Sequence, residues 1–93
     1  MEFRWDERKN RINLRKHGFG FELASEVFHD PFCVTEEDGL HGGEARYKTI
    51  GRLENLAVIV VIHTAPEEPI EQIRIISARK ATPSERRLYE TQW

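Results

Sequence analysis

With 93 residues, a formal net charge of −2 and 39% hydrophobic side chains, the chain has room for one domain, read as 1–93, and too much apolar content for a disordered tail. No apolar run approaches the ~20 residues of a membrane span; the longest is 56–62. The opening Met1-Glu2-Phe3-Arg4-Trp5-Asp6 lacks the apolar h-region of a secretory signal, and Cys33 is the single cysteine, so a reducing, cytoplasmic setting is expected. A domain this small buries only roughly 60–65% of its unfolded surface, and a permanent partner would help its stability.

In chain order, 1–5 alternates apolar and charged residues, as a half-buried strand does. Asp6 suits an N-cap and Gly18 a C-cap, which predicts a helix over 7–17. Arg8, Lys9, Arg11, Arg15 and Lys16 cover about half its circumference. Asn10, Asn13, Leu14 and His17 occupy the opposite side. Only Ile12 and Leu14 are apolar, on different faces, so burial alone docks this helix poorly. Over 21–28, Leu23, Ala24, Val27 and Phe28 form a core stripe on a second helix, ended by Asp30-Pro31.

A short strand at 32–35 and an acidic, glycine-bearing loop at 36–43 follow. Strands are expected at 45–50 and 56–63, joined by the turn Leu53-Glu54-Asn55. After a loop at 64–69, a third long strand covers 70–81. Thr82-Pro83-Ser84-Glu85 has the form of a capping box with proline at the first helical position, and a short helix runs on through Leu88 and Tyr89. The sum is an α+β fold: an antiparallel meander sheet with two N-terminal helices and one C-terminal helix, the helices on one face.

The charge is segregated. Residues 1–17 hold six Lys/Arg against three acids, 22–44 hold seven acids and no Lys or Arg, and 74–87 hold five Lys/Arg against Glu85 alone. If the two basic ends meet, they make a cationic patch beside an acidic surface, and a local patch is what a phosphate senses.

Three groups could carry chemistry. Asn13, Lys16 and His17 lie at a helix C-terminus, where the dipole favours a charged imidazole; a hydrogen-bonded Asn13–His17 pair closing the helix is the structural alternative. In Arg74-Ile75-Ile76-Ser77-Ala78-Arg79-Lys80, strict alternation puts Arg74 and Arg79 on opposite faces. Either arginine could then aim a fork of donors at a phosphate or lay its stem over apolar surface. Glu44 and Arg46 share a strand face, as a solvated charge pair or as part of a site. Tyr89 is a core anchor or a neighbour of that site.

The four histidines and Cys33 show none of the close spacings of a zinc site, and no glycine-rich phosphate loop or Gly-x-Ser-x-Gly elbow appears. No metal and no cofactor are expected. What remains suits RNA cleavage: a base to take the ribose 2′-OH proton, an acid for the 5′-oxygen and cations for the phosphorane.

Read together, Trp5-Asp6, Asn13 with Lys16-His17-Gly18, Phe21, Ala24, Val27-Phe28, Glu44-Ala45-Arg46, Gly51, the stretch from Arg74 to Ala81, and Glu85-Arg86 with Tyr89 resemble the BrnT toxin family. Gly20 departs from the Ser or Thr usual there as the cap of the second helix, which costs little. The resemblance implies a RelE-like fold and a ribonuclease toxin that inhibits translation. It further implies a BrnA-type ribbon-helix-helix antitoxin as partner, with DNA bound only through that antitoxin and no membrane. On this reading Lys16, His17, Glu44, Arg46, Arg79 and Lys80 form the active surface with Tyr89 nearby, His17 or Glu44 acting as base or acid. Lys9, Arg74 and Arg86 contact the RNA backbone. The alternative is a non-enzymatic protein- or DNA-binding module; a helix-turn-helix is disfavoured, because no helix and tight turn precede the basic helix.

Overall fold

The structure is a computed structural model that describes residues 1–92. Strand β1 (Glu2–Trp5) leads into helix α1 (Glu7–His17), helix α2 (Phe21–Ala24) and a 3₁₀ turn (Ser25–His29). Strands β2 (Val34–His41), β3 (Glu44–Arg52), β4 (Val58–His63) and β5 (Gln72–Lys80) follow, then helix α3 (Pro83–Glu90). The five strands form one sheet in the order β1-β5-β4-β3-β2. Strands β2 to β5 make the expected meander, but β1 lies parallel to β5, so the sheet is mixed. The parallel pairing follows from α1, which carries the chain away after β1 and leaves that edge of β5 free.

Two further expectations change. The acidic segment 36–43 is not a loop: β2 runs through it to His41 and turns tightly at Gly42 and Gly43, both with positive φ. Its two-sided polarity hid the strand, because only alternation against a buried face marks one. The helices also do not share a face. Phe21, Ala24 and Val27 pack with Ile59, Val61, Ile75 and Ala78 on one side of the sheet, while Tyr89 of α3 packs with Ile50, Val58 and Val60 on the other. The double burial of β4 is the sequence trace of this, since a strand covered on both faces reads as a continuous apolar run.

Helix α1 docks by hydrogen bonds, as its poor apolar content requires. The Asn13 side chain is buried; its Nδ2 donates to the Phe19 carbonyl at 3.1 Å, and its Oδ1 accepts from the Ala78 N–H at 3.1 Å. Ala78 lies past the end of β1, whose last pair is Trp5 with Ile75, so Asn13 takes the place of a missing strand. Asn10 does the same for α2, its Oδ1 accepting from Phe21 N–H at 2.7 Å. A Cβ at Gly20 would meet Asn10 Oδ1 at 2.8 Å, so the Asn10 side chain would have to give way. At the other end of the chain the Thr82–Glu85 capping box forms as expected, both reciprocal bonds present.

Strand β5 does not alternate strictly. The register slips between Ile62 and His63 of β4, which face Ser77 and Ile75, so β5 carries one extra residue. This β-bulge turns both Ile75 and Ala78 into the same core.

Behind the sheet, His63 is 3% exposed; its Nδ1 bonds to the Thr64 carbonyl and its Nε2 to the Thr49 hydroxyl, each at 2.7 Å. Burial pushes its pKa below the ordinary histidine value of 6.5. The unfolded chain therefore takes up a proton at His63 that the folded chain resists, and stability falls as pH drops below 6.5. Denaturant midpoints measured from pH 7.5 down to 5 should decline in the wild type and decline less in a folded His63→Gln variant; equal slopes would exclude the effect. Asn13→Ala leaves a buried carbonyl and a buried N–H without partners, so it should cost about 2–4 kcal/mol, as should Asn13→Asp, which keeps only the acceptor. A midpoint within error of wild type would show that α1 docks some other way.

Candidate active site

The β5 bulge decides which side chains meet. With Ile75 and Ala78 both turned to the α1 side, Arg74 and Arg79 both face the α3 side, not opposite sides. Alternation along β3 brings Glu44, Arg46 and Lys48 to that same face, in line with Ile50, which packs under Tyr89. Arg4 of β1, in register with Arg74, joins them.

The charges are arranged in two linked groups. Glu44 accepts from Arg74 Nη2 at 2.5 Å and lies 4.0 Å from Arg46 Nε. The Arg46 Nε is buried without a hydrogen-bond partner. Arg74 above all holds the Glu44 carboxyl below the ordinary carboxylate range, so it is ionised at neutral pH. The second group centres on Glu85, which accepts from Arg79 Nη1 at 2.7 Å and Nη2 at 3.0 Å, and from Lys48 Nζ at 3.1 Å. The Arg79 pair chiefly pulls the Glu85 pKa far down, and the same bond raises that of Arg79. Lys48 also reaches toward Glu36 at 3.8 Å, and Arg4 pairs with Glu67 at 3.0 Å.

This face stays accessible toward the β2–β3 hairpin. The side chains of Glu44, Arg46, Arg74 and Arg79 are 40, 25, 29 and 37% exposed. Five cations and four carboxylates thus stand around one open patch, with guanidinium forks that could transfer from carboxylate to phosphate.

Of the expected site residues, Glu44, Arg46, Arg74 and Arg79 come together here. Lys48 and Glu85 join them unforeseen. The signal for Lys48 was in the sequence, since it continues the Glu44–Arg46 face at i+2; Glu85 had been read only as a capping residue. Lys9, Lys16 and His17 lie on α1, which meets the sheet through Asn13 at Ala78. Neither Lys16 nor His17 makes a side-chain hydrogen bond or ion pair among the described residues, and Asn13 is not paired with His17. Lys80 is exposed and follows Arg79 onto the other side of β5, opposite Ile59 of the α1-side core. Arg86 is exposed on the first turn of α3.

Tyr89 stands apart from the patch. It is 1% exposed, its hydroxyl donates to Asp30 Oδ2 at 2.5 Å, and burial with that bond pushes its pKa up to about 12. Asp30 also accepts from the backbone of Arg52 and Phe32, and the Arg52 guanidinium sits 5.4 Å from the Tyr89 ring centre. The tyrosine therefore anchors α3 to the sheet, the core role open to it from the sequence.

No described helix is long and apolar enough to cross a membrane, and no three His, Cys, Asp or Glu side chains are grouped as metal ligands among the described residues.

Comparison with known proteins gives this patch a context. A family model described as the ribonuclease toxin BrnT of type II toxin–antitoxin systems matches residues 5–85. The crystal structure of the Brucella abortus ribonuclease toxin BrnT, solved at 1.1 Å, superposes with a TM-score of 0.63 at 30% sequence identity, over 88% of this chain and 97% of that one. Curated proteins gave no match. The family match spans both halves of the patch, from the β2–β3 hairpin to Arg79 and Glu85, and the chain belongs to the BrnT family of ribonuclease toxins of type II toxin–antitoxin systems.

Proposed function

We propose that the α3-side face of the sheet is the RNA-cleaving surface of this toxin, and that it works by acid–base chemistry without a metal. The observation that carries this is the convergence of Glu44 with Arg46, Lys48, Arg74 and Arg79 on one open face. Cleavage of RNA by its own 2′-OH needs a base at that hydroxyl and positive charge at the phosphate. Glu44 is held ionised by Arg74 and is free to accept the proton as soon as an arriving phosphate competes for that guanidinium. Arg46, Arg74 and Arg79 present planar forks suited to two phosphate oxygens, and Lys48 adds a point charge. Glu85 is a positioning residue: it holds Arg79 and Lys48 side by side while closing the α3 capping box. Lys9, Lys16, His17 and Lys80 belong to the α1 side of the sheet and Arg86 to the first turn of α3; they are assigned contacts with RNA that runs beyond the patch, without a part in the bond cleavage.

In this reading the toxin acts in the cytoplasm, halts translation by removing RNA, and is neutralised by a BrnA-type ribbon-helix-helix antitoxin through which alone it would meet DNA. The acidic residues Glu22, Glu26, Glu36 and Glu37 offer a basic partner its complement. The RelE-like kinship implied by the sequence belongs to the same reading.

One assay tests it. Purified protein incubated with RNA in excess chelator should cleave; loss of cleavage in chelator, restored by one divalent metal, would overturn the metal-free chemistry. In the same assay Arg79→Ala should lose roughly ten- to a hundredfold in rate, the cost of one charge-assisted phosphate contact at about 1.5–3 kcal/mol. Its denaturation midpoint should fall only modestly, because Glu85, though 10% exposed, keeps Lys48 and its capping bond to Thr82 as partners. A folded Arg79→Ala protein that cleaves at the wild-type rate would remove this face from the chemistry.

A further inference from the structure

The proposed site has a base and cations, and it needs a proton donor for the leaving 5′-oxygen. His41 is a group to which the site so far gives no role. It is the last residue of β2 and stands directly opposite Glu44 across the hairpin. Directly paired residues of antiparallel strands point to the same face with Cβ atoms about 4.5–5.5 Å apart. Imidazole and carboxylate therefore share the end of the patch that α3 leaves open.

Its surroundings suit a donor. The ring Nε2 contacts the Asp38 carbonyl at 3.0 Å and the Asp38 carboxylate at 3.8 Å, and the side chain is 47% exposed. With Nε2–H donating to Asp38, Nδ1 is left for the substrate. The charged groups facing His41 are Asp38 on its own strand and Glu44 with Arg46 on β3. From β5, Arg74 bonds Glu44, and Arg79 feels the charge of Asp38. The Asp38 carbonyl fixes the orientation of the ring at the hairpin end of the patch. The hairpin turn itself, at Gly42 and Gly43, holds both side chains to one register.

We propose that His41 is the general acid of the cleavage reaction, paired with Glu44 as general base. This rests on the reading of the α3-side face as the RNA site. Glu44 takes the proton of the 2′-OH, the 2′-oxygen bonds to phosphorus, and the P–O5′ bond breaks. His41 gives its proton to the departing O5′. The products are a 2′,3′-cyclic phosphate and a 5′-hydroxyl end, and the proton passes from Glu44 back to His41 through solvent. Imidazole is the ordinary side chain that both carries and releases a proton near neutral pH. His17, the histidine that the sequence reading assigns to the active surface, lacks any such pairing with Glu44.

The test uses two matched RNA substrates, one ordinary and one with sulfur in place of the bridging 5′-oxygen at the cleaved bond. A thiolate leaves without protonation, so it needs no acid. His41→Ala should lose roughly 10²–10⁴-fold on the ordinary RNA and recover most of that loss on the sulfur-bridged one. Glu44→Gln should be slow on both. The circular dichroism spectrum and denaturation midpoint of His41→Ala should match wild type, since the side chain is half exposed. A His41→Ala enzyme equally impaired on both substrates, or unimpaired on the ordinary one, would overturn the assignment while leaving the site intact. Selective rescue in His17→Ala instead would move the acid to α1. Failure of the wild type to cleave either RNA would overturn the proposed site and His41 with it.

Discussion

The extra residue in β5 is the constraint on which the site depends. A β-strand that alternated strictly from Ile73 to Lys80 could not bury both Ile75 and Ala78 in one core while offering Arg74 and Arg79 to one face. The bulge opposite the Ile62–His63 step does both. It also leaves the Ala78 N–H pointing past the end of β1, where Asn13 of α1 takes it. One irregularity thus docks a helix that has too little apolar surface to dock itself and sets two guanidinium groups on the same side. Bulges next to active sites commonly re-aim side chains in this way.

Charge on that face is organised, not merely accumulated. Each cation near the centre has a carboxylate partner in the free protein, so the patch does not carry the self-repulsion that five bare cations would. Glu85 serves two masters: its carboxylate returns a bond to the backbone of Thr82 and clamps Arg79 against Lys48. The start of α3 and the phosphate-facing cations are therefore one structural unit. On the far side of α3 the Tyr89–Asp30–Arg52 cluster fixes the helix to the sheet, which keeps that unit in place. A net charge of −2 is compatible with binding an anion because a phosphate senses the local charge, and Arg46, Lys48, Arg74 and Arg79 converge on one face.

Much of this was legible in the sequence. The caps at Asp6, Gly18 and Thr82, the doubly buried β4 and the long cationic β5 follow from local rules, and the residues of the family resemblance pointed to the toxin class. Three things were not legible. The bulge inverts the parity of β5 after Ile75, and no residue type there announces it; strict alternation therefore separated Arg74 from Arg79. The outer part of β2 has charged residues on both faces, so hydrophobic periodicity is silent and the segment reads as a loop. That error hid His41, which becomes part of the patch only once it is known to face Glu44. The parallel placement of β1 was invisible for a different reason, since pairing partners distant in sequence leave no mark on a short strand.

The central claim is that RNA lies on the α3-side face, over Glu44, Arg46, Arg74 and Arg79. Backbone amide shifts of the labelled protein, titrated with an RNA oligonucleotide blocked by 2′-O-methyl groups so that it cannot be cut, test it most directly. The account predicts that the largest perturbations fall on the β2–β3 hairpin from Asp38 to Lys48 and on Arg74 to Arg79 and Glu85. Perturbations confined to α1, around Lys9, Lys16 and His17, with the hairpin and β5 unmoved, would contradict it.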